Sequence, residues 1–123
     1  MGKDSMVSRG VEVLALRRLS SGTTYLTEPE AEPHIGGGKT LVVMAAIQRS
    51  IGQSMTITAE DSSDRENWSE IGTLITTPAG TPDPVEYLRG TLTTPFGLFL
   101  RLKVDISGGG DVIVGIRTSV EEK

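Results

Sequence analysis

From Met55 the chain alternates: Met55, Ile57 and Ala59 fall on one side of an extended backbone, and Thr56, Thr58 and Glu60 on the other. A period of two marks a half-buried strand, because successive Cβ atoms point to opposite faces. Polar residues interrupt from Asp61 to Asn67, and Trp68, the one tryptophan, opens a second apolar run that reaches Leu74. The pattern predicts strand, polar loop, strand, with a bulge at Gly72. The longest alternation comes later. Leu98, Leu100, Leu102, Val104 and Ile106 share one face, Phe99, Arg101, Lys103 and Asp105 the other, and Val112, Val114 and Ile116 repeat the pattern. Between the two runs, Ser107-Gly108-Gly109-Gly110-Asp111 predicts a flexible hairpin turn.

Residues 40–49 are almost continuously apolar and suit a strand covered on both faces. Shorter strands are predicted at 11–16 and 23–27, separated by a Ser20-Ser21-Gly22 turn, and at 85–93 around Tyr87 and Leu88. Pro29, Pro33 and three glycines make 28–38 a loop, 78–84 is an extended surface loop, and Pro95-Phe96-Gly97 breaks the chain again. About eight strands and no convincing amphipathic helix predict an all-β fold, an antiparallel two-sheet β-sandwich, jelly-roll-like. Its core would come from the inner faces of 41–47, 55–59, 98–106 and 112–116. The predicted organisation is a flexible N-terminal arm over 1–10, one sandwich domain over 11–120 and a charged tail at 121–123.

Composition narrows the function classes. A chain of 123 residues is one domain with room for a single core, and with aromatics at 4% that core must be aliphatic. A net charge of -4 argues against a nucleic-acid surface. The charge is uneven: residues 1–27 carry Lys3, Arg9, Arg17 and Arg18 against Asp4 and Glu12. The absence of cysteine excludes disulfides, thiolate metal sites and cysteine nucleophiles. No run approaches the ~18 apolar residues of a membrane-spanning helix. Charges interrupt every short apolar run in 1–20, so no signal peptide is expected and synthesis in the cytoplasm is.

Candidate chemistry is sparse. Gly36-Gly37-Gly38-Lys39-Thr40 invites a phosphate-loop reading, but Pro33 stands where the pattern needs glycine, so a flexible turn feeding a strand is expected. Glu60, Asp61, Asp64, Glu66 and Asn67 offer oxygens for calcium, yet Arg65 breaks the EF-hand order and a solvated loop is the default. His34 has no second histidine and sits between Pro33 and Ile35, which disfavours zinc and Ser-His-Asp chemistry. The expectation is no enzyme, no cofactor and no metal. Interaction residues are better supported. Trp68, with Asp64 and Asn67 beside it, either stacks on a sugar ring or a partner, or anchors its loop by burial, which large aromatics favour. Arg101, Lys103 and Arg117 would lie on adjacent strands of the hairpin as a basic patch, with Arg17 and Arg18 as further basic candidates. Such a patch docks an acidic partner, or it is a solvated face with cross-strand pairs such as Arg117 with Asp105.

The run Ser62-Ser63-Asp64-Arg65-Glu66-Asn67-Trp68-Ser69-Glu70-Ile71 resembles the S-x-D-G-x-N-W-x-x-I turn of galactose-binding-like (discoidin-type) β-sandwiches. Tyr87-Leu88-Arg89 and Phe99-Leu100-Arg101-Leu102 are similar to the Y-L-R-L strand of that family, and the same turn and strand recur in small β-sandwich proteins of tailed-phage virions. Arg65 replaces the usual glycine. The resemblance covers about residues 55–117 and implies fold more firmly than function. With the short, cysteine-free chain, the arm and the proline-rich loops, it implies a structural protein acting through surface contacts, a capsid decoration or head-stabilising subunit. Its expected partners are copies of itself and a larger assembly such as a capsid shell, with no nucleic acid and no membrane. The alternative is a carbohydrate-binding module using Trp68 and the 60–67 loop; a third is a calcium-stabilised adhesion domain.

Overall fold

The structure, a computed structural model, describes residues 11–27, 39–93 and 99–122. The predicted arm 1–10, the 28–38 loop with His34 and Gly36–Gly38, and the Pro95-Phe96-Gly97 break lie outside the described residues. Six strands form an all-β, wholly antiparallel fold: β1 (Val11–Thr27), β2 (Lys39–Gln48), β3 (Ser54–Ser62), β4 (Ser69–Thr76), β5 (Glu86–Leu92) and β6 (Phe99–Glu122). Two of these are long. β1 and β6, of 17 and 24 residues, pair from Thr27 opposite Arg101 to Val11 opposite Thr118. β3 and β2 also pair with β6. Its first arm holds β3, from Phe99 opposite Ser62 to Ser107 opposite Ser54, and its second holds β2, from Ile113 opposite Gln48 to Glu122 opposite Lys39. β4 extends the sheet beyond β3, and β5 beyond β2. Two layers result, and β1 and β6 belong to both.

The corner between the layers lies where hairpin and turn were expected. Gly108, Gly109 and Gly110 have φ of 104°, 76° and 78°, and Gly22 on β1 has φ 124°. The register jumps there from Ser20 opposite Asp111 to Gly22 opposite Ile106. The two arms of β6 do not pair with each other, so the predicted hairpin is absent; nor does Ser20-Ser21-Gly22 separate two strands. Glycines on both strands let them bend in step, and β6 stays one strand because its arms already have partners, β1 on either side of the bend and β3 or β2 besides. Six strands rather than about eight is the consequence. β6 also runs on through Glu121 and Glu122, two of the three residues expected as a tail.

The 50–53 turn braces this corner. Gln53 Nε2 donates to the carbonyls of Gly109 (2.6 Å) and Asp111 (3.2 Å), while its Oε1 accepts from Ser50 N (2.7 Å). A Cβ on Gly108 would stand 2.2 Å from the Gly52 carbonyl oxygen, so only glycine lets the two backbones approach. Beside it, Arg49 is sealed in. Its guanidinium grips Glu86 twice (2.6 and 2.9 Å) and donates to the carbonyls of Gln53 (2.7 Å) and Pro78 (2.8 Å). One side chain thus ties the end of β2 to the 50–53 turn, the 78–84 loop and the start of β5.

The inner faces read from the sequence do form the core: Leu41, Val43, Ala45 and Ile47; Met55, Ile57 and Ala59; Leu100 to Ile106 at every second residue; Val112, Val114 and Ile116. Each buried aliphatic contributes roughly 1.5–3 kcal/mol. Away from the corner the layers converge again: a Cβ on Gly90 of β5 would lie 1.9 Å from the Leu74 carbonyl oxygen of β4. The Gly72 bulge is found as a pair of irregularities, with Ile71 and Leu74 as the extra residues opposite β3. One expectation fails in β2. Only its inner face is fully covered, for Met44 is exposed and Ala46 half-buried.

Candidate functional site

The outer face of the β3–β4 layer carries the residues that the sequence singles out around Trp68. Arg101 is their hub. Its Nε donates to Glu60 Oε1 (2.7 Å), and its guanidinium carbon lies 4.0 Å from the Tyr25 ring centre and 4.3 Å from that of Trp68. Trp68 is half-buried and its indole N–H donates to the Arg65 carbonyl (3.2 Å). It is therefore neither a core anchor nor a free platform, since Arg101 already packs on its ring. Arg65 in turn lies 4.2 Å above the Phe99 ring centre.

The 62–67 turn closes on itself. The Ser62 hydroxyl accepts from the Asp64 and Arg65 amides (3.1 and 2.8 Å) and donates to Asp64 Oδ1 (2.9 Å). Asp64 accepts from the Glu66 and Asn67 amides and from the Asn67 side chain, all at 2.8 Å. These bonds, the Asn67 amide foremost, hold the Asp64 carboxyl well below the usual carboxylate range. Both of its oxygens thus serve the turn, and among the described residues no three acidic or histidine side chains are grouped as a cation site. Arg65, at φ 67°, lies in the left-handed region that favours glycine, at the position where the resembling sequence pattern has one.

The expected basic patch is not assembled. Arg101 and Lys103 face outward from the first arm of β6, whereas Arg117 is on the second arm, in the other layer, opposite Glu12 and Met44. The patch depended on the hairpin and goes with it. Asp105 meets Thr23 Oγ1 (2.5 Å) and lies 4.0 Å from Lys103 Nζ, so its neighbours are not Arg117 either. Arg18 lies 3.9 Å from Asp111 at the corner, and Arg17 is exposed opposite Val114.

What sequence reasoning missed is an apolar groove on the outer face of the β2–β5 layer. Between the Leu14–Ile116 and Arg17–Val114 pairs, β1 sets two residues against the single Gly115. Such a bulge re-aims side chains; here the Leu16 Cα comes within 3.3 Å of where a Gly115 Cβ would stand. The cross-strand row Leu16, Gly115, Ala46, Tyr87 is then large, small, small, large, and Met44 stands in the next row between Arg117 and Arg89. The resulting groove encloses about 400 Å³. Leu16, Met44 and Tyr87 are 66%, 41% and 80% exposed, far more than core residues tolerate. A signal for it was present. A seven-residue apolar run in β2 must turn every second residue away from the single opposing layer.

No family model and no curated protein matches the sequence. Solved structures do match in shape. The chain is similar to a protein of infectious bursal disease virus, Gx strain (TM-score 0.63, 11% identity, 92% of this chain and 31% of that one). It also resembles VP2 of the same virus in its subviral particle (TM-score 0.55, 14% identity, 92% and 31%). A third likeness is to the C-terminal family 22 carbohydrate-binding module of Clostridium thermocellum Xyn10B (TM-score 0.55, 10% identity, 98% and 89%). The chain thus spans about a third of the viral proteins and nearly all of the carbohydrate-binding module. The fold is therefore a β-sandwich of the kind that both classes share, and at these identities the likeness extends to fold alone.

Proposed function

We propose that this chain is a non-enzymatic assembly protein that works through its outer faces, as a small virion subunit such as a tailed-phage capsid decoration or head-stabilising protein. The observation that carries the reading is the exposed groove of Leu16, Met44 and Tyr87. Contiguous exposed apolar surface of this kind marks an interaction site, while the polar side chains of Arg49, Gln53, Ser62 and Asp64 are engaged in holding turns and the corner. The likeness to VP2 in its subviral particle supports a sandwich suited to shells. Copies repeated on a shell gain avidity, so each contact need not be strong. The test is the mass of the full chain by light scattering and its co-sedimentation with capsid shells. A homo-oligomer or shell binding is expected; a monomer that binds no shell overturns the proposal.

The second reading is carbohydrate binding at Tyr25, Trp68 and the 60–67 loop, favoured by the likeness to the family 22 module. Ring access there requires Arg101 to move off Trp68. Binding on a glycan array that is lost in Trp68→Ala, with the fold intact, would establish it.

A further inference from the structure

On the reading that the chain assembles, we infer that the β2–β5 groove receives the same groove of a second copy about a twofold axis, each copy's Met44 seated on the other's Ala46. The relief of the face carries this. Two cross-strand rows form it: Leu16, Gly115, Ala46 and Tyr87 in one, Arg117, Met44 and Arg89 in the next. Along the two middle strands a small residue of the first row adjoins a long one of the second. Gly115 has Arg117 beside it on β6, and Ala46 has Met44 beside it on β2. A twofold axis that runs across the strands, between the rows, exchanges the rows and keeps each strand over its own copy. Met44 of one molecule then enters between Leu16 and Tyr87 of the other, and the same contact is made in reverse. An isologous interface requires a patch that is complementary to itself in this way. The strands stay aligned across the contact, as they do between the layers of a sandwich.

The chemistry agrees with the relief. The floor is glycine and alanine and the walls are the exposed Leu16 and Tyr87, a narrow apolar slot. Methionine, unbranched and adaptable, fills gaps of that shape, and Met44 is exposed on the same face. Charge does not oppose the pairing. Arg117 stands opposite Glu12 in the β1–β6 register, and Arg89 is engaged within its own chain. Under this axis neither arginine meets its own counterpart: Arg117 falls over the partner's Gly115, and Arg89 over the partner's Tyr87. A twofold contact closes at two copies and leaves the Arg101 face of the other layer uncovered. Only two rows deep, it is a small contact, and repetition on a shell makes up in number what one pair lacks.

The experiment uses the full chain, which has no cysteine, so each introduced thiol is unique. Met44→Cys is mixed with isotopically labelled Ala46→Cys and treated with a short bismaleimide cross-linker, mixed pairs being told apart by mass. Labelled Ser63→Cys, exposed on the 62–67 turn of the other layer, takes the place of Ala46→Cys as the control. The first mixture should yield at least tenfold more mixed pairs than the second. In parallel, sedimentation equilibrium follows the dimer dissociation constant of wild type, Ala46→Glu and Tyr87→Glu, each checked for its β-sheet circular dichroism and cooperative melting. Both variants should raise that constant at least tenfold, and Ser63→Glu should leave it unchanged. Tyr87→Ser is the milder probe should either glutamate variant fail to fold. Oligomers indifferent to the groove variants, or a Met44–Ala46 mixture that cross-links no better than the control, overturn the groove pairing and leave assembly itself standing. A monomer that binds capsid shells through the groove also overturns it, since the occupant is then the shell protein. A wild type that is monomeric and binds no shell overturns the assembly reading, and the pairing with it.

Discussion

Arg65 is the residue where local rules and the observed backbone disagree. A left-handed backbone costs a non-glycine residue roughly 1–2 kcal/mol, and Arg65 sits there at φ 67°. The contact of its guanidinium with Phe99 offsets part of that, by roughly 0.5–1 kcal/mol. Arg65→Gly should therefore stay within about 1 kcal/mol of wild type in urea denaturation, with relief of strain opposing the lost contact. Arg65→Val, β-branched and without the cation, should lose more than 1 kcal/mol. Asp64, in the same turn, sets a pH dependence. Its folded-state pKa lies below its unfolded value, chiefly through the Asn67 amide, so its contribution is fully present above the ordinary carboxylate pKa of about 3.9. That contribution is lost as pH falls below it towards the folded value. Asp64→Asn should therefore melt below wild type at pH 7, with the gap narrowing as pH drops through 3. A gap that is constant across that range would show that the turn is not held by the charge.

At the scale of elements, the bend in β6 rests on two residues. Gly108 admits no side chain against the Gly52 carbonyl, so Gly108→Ala combines a 2.2 Å clash with a disfavoured φ and should cost at least ~2 kcal/mol. Gln53→Ala removes three hydrogen bonds and leaves carbonyls of the corner unpaired, for an expected loss of about 2–3 kcal/mol in urea denaturation. A loss below 0.5 kcal/mol in both would mean that the corner holds without them. The same corner shows what was legible in the sequence. Alternation alone located the inner faces of β3 and of both arms of β6, because burial on one face imposes a period of two whatever the partner. It could not tell a turn from a bend. Three glycines permit either, and the choice was made by β1, whose Gly22 lies about ninety residues away in sequence. The basic patch failed for the same reason, since which face Arg117 shares with Lys103 follows from strand order and not from spacing. The groove was half legible: the outward residues of β2 were there to be read, but Leu16 reaches it only through a bulge opposite Gly115.

As a whole molecule, the sandwich is joined at the corner and meets again where Gly90 passes Leu74, so its apolar interior is largely consumed. Among the described residues, three of the five exposed large hydrophobics, Leu16, Met44 and Tyr87, share one outer face, while Ile51 stands on the 50–53 turn and Tyr25 on the other layer; an assembly contact through the β2–β5 face would cover the three. This has a thermodynamic signature independent of any picture of the contact. A partner that binds only the folded state stabilises by RT ln(1 + [L]/Kd), about 2.7 kcal/mol at a hundredfold excess over Kd. For a domain of this size each kcal/mol shifts Tm by roughly 2–8 °C. If copies associate through the groove, Tm should therefore rise by several degrees as protein concentration is raised a hundredfold from near Kd. Tyr87→Glu should abolish the slope without lowering Tm at the dilute end, because Tyr87 is 80% exposed and contributes little to the isolated fold. Differential scanning calorimetry over that range decides the matter. A slope that persists in Tyr87→Glu would move the contact elsewhere on the molecule, the Arg101 face of the other layer being next in line, and a flat wild-type profile would leave the groove without a partner of its own kind.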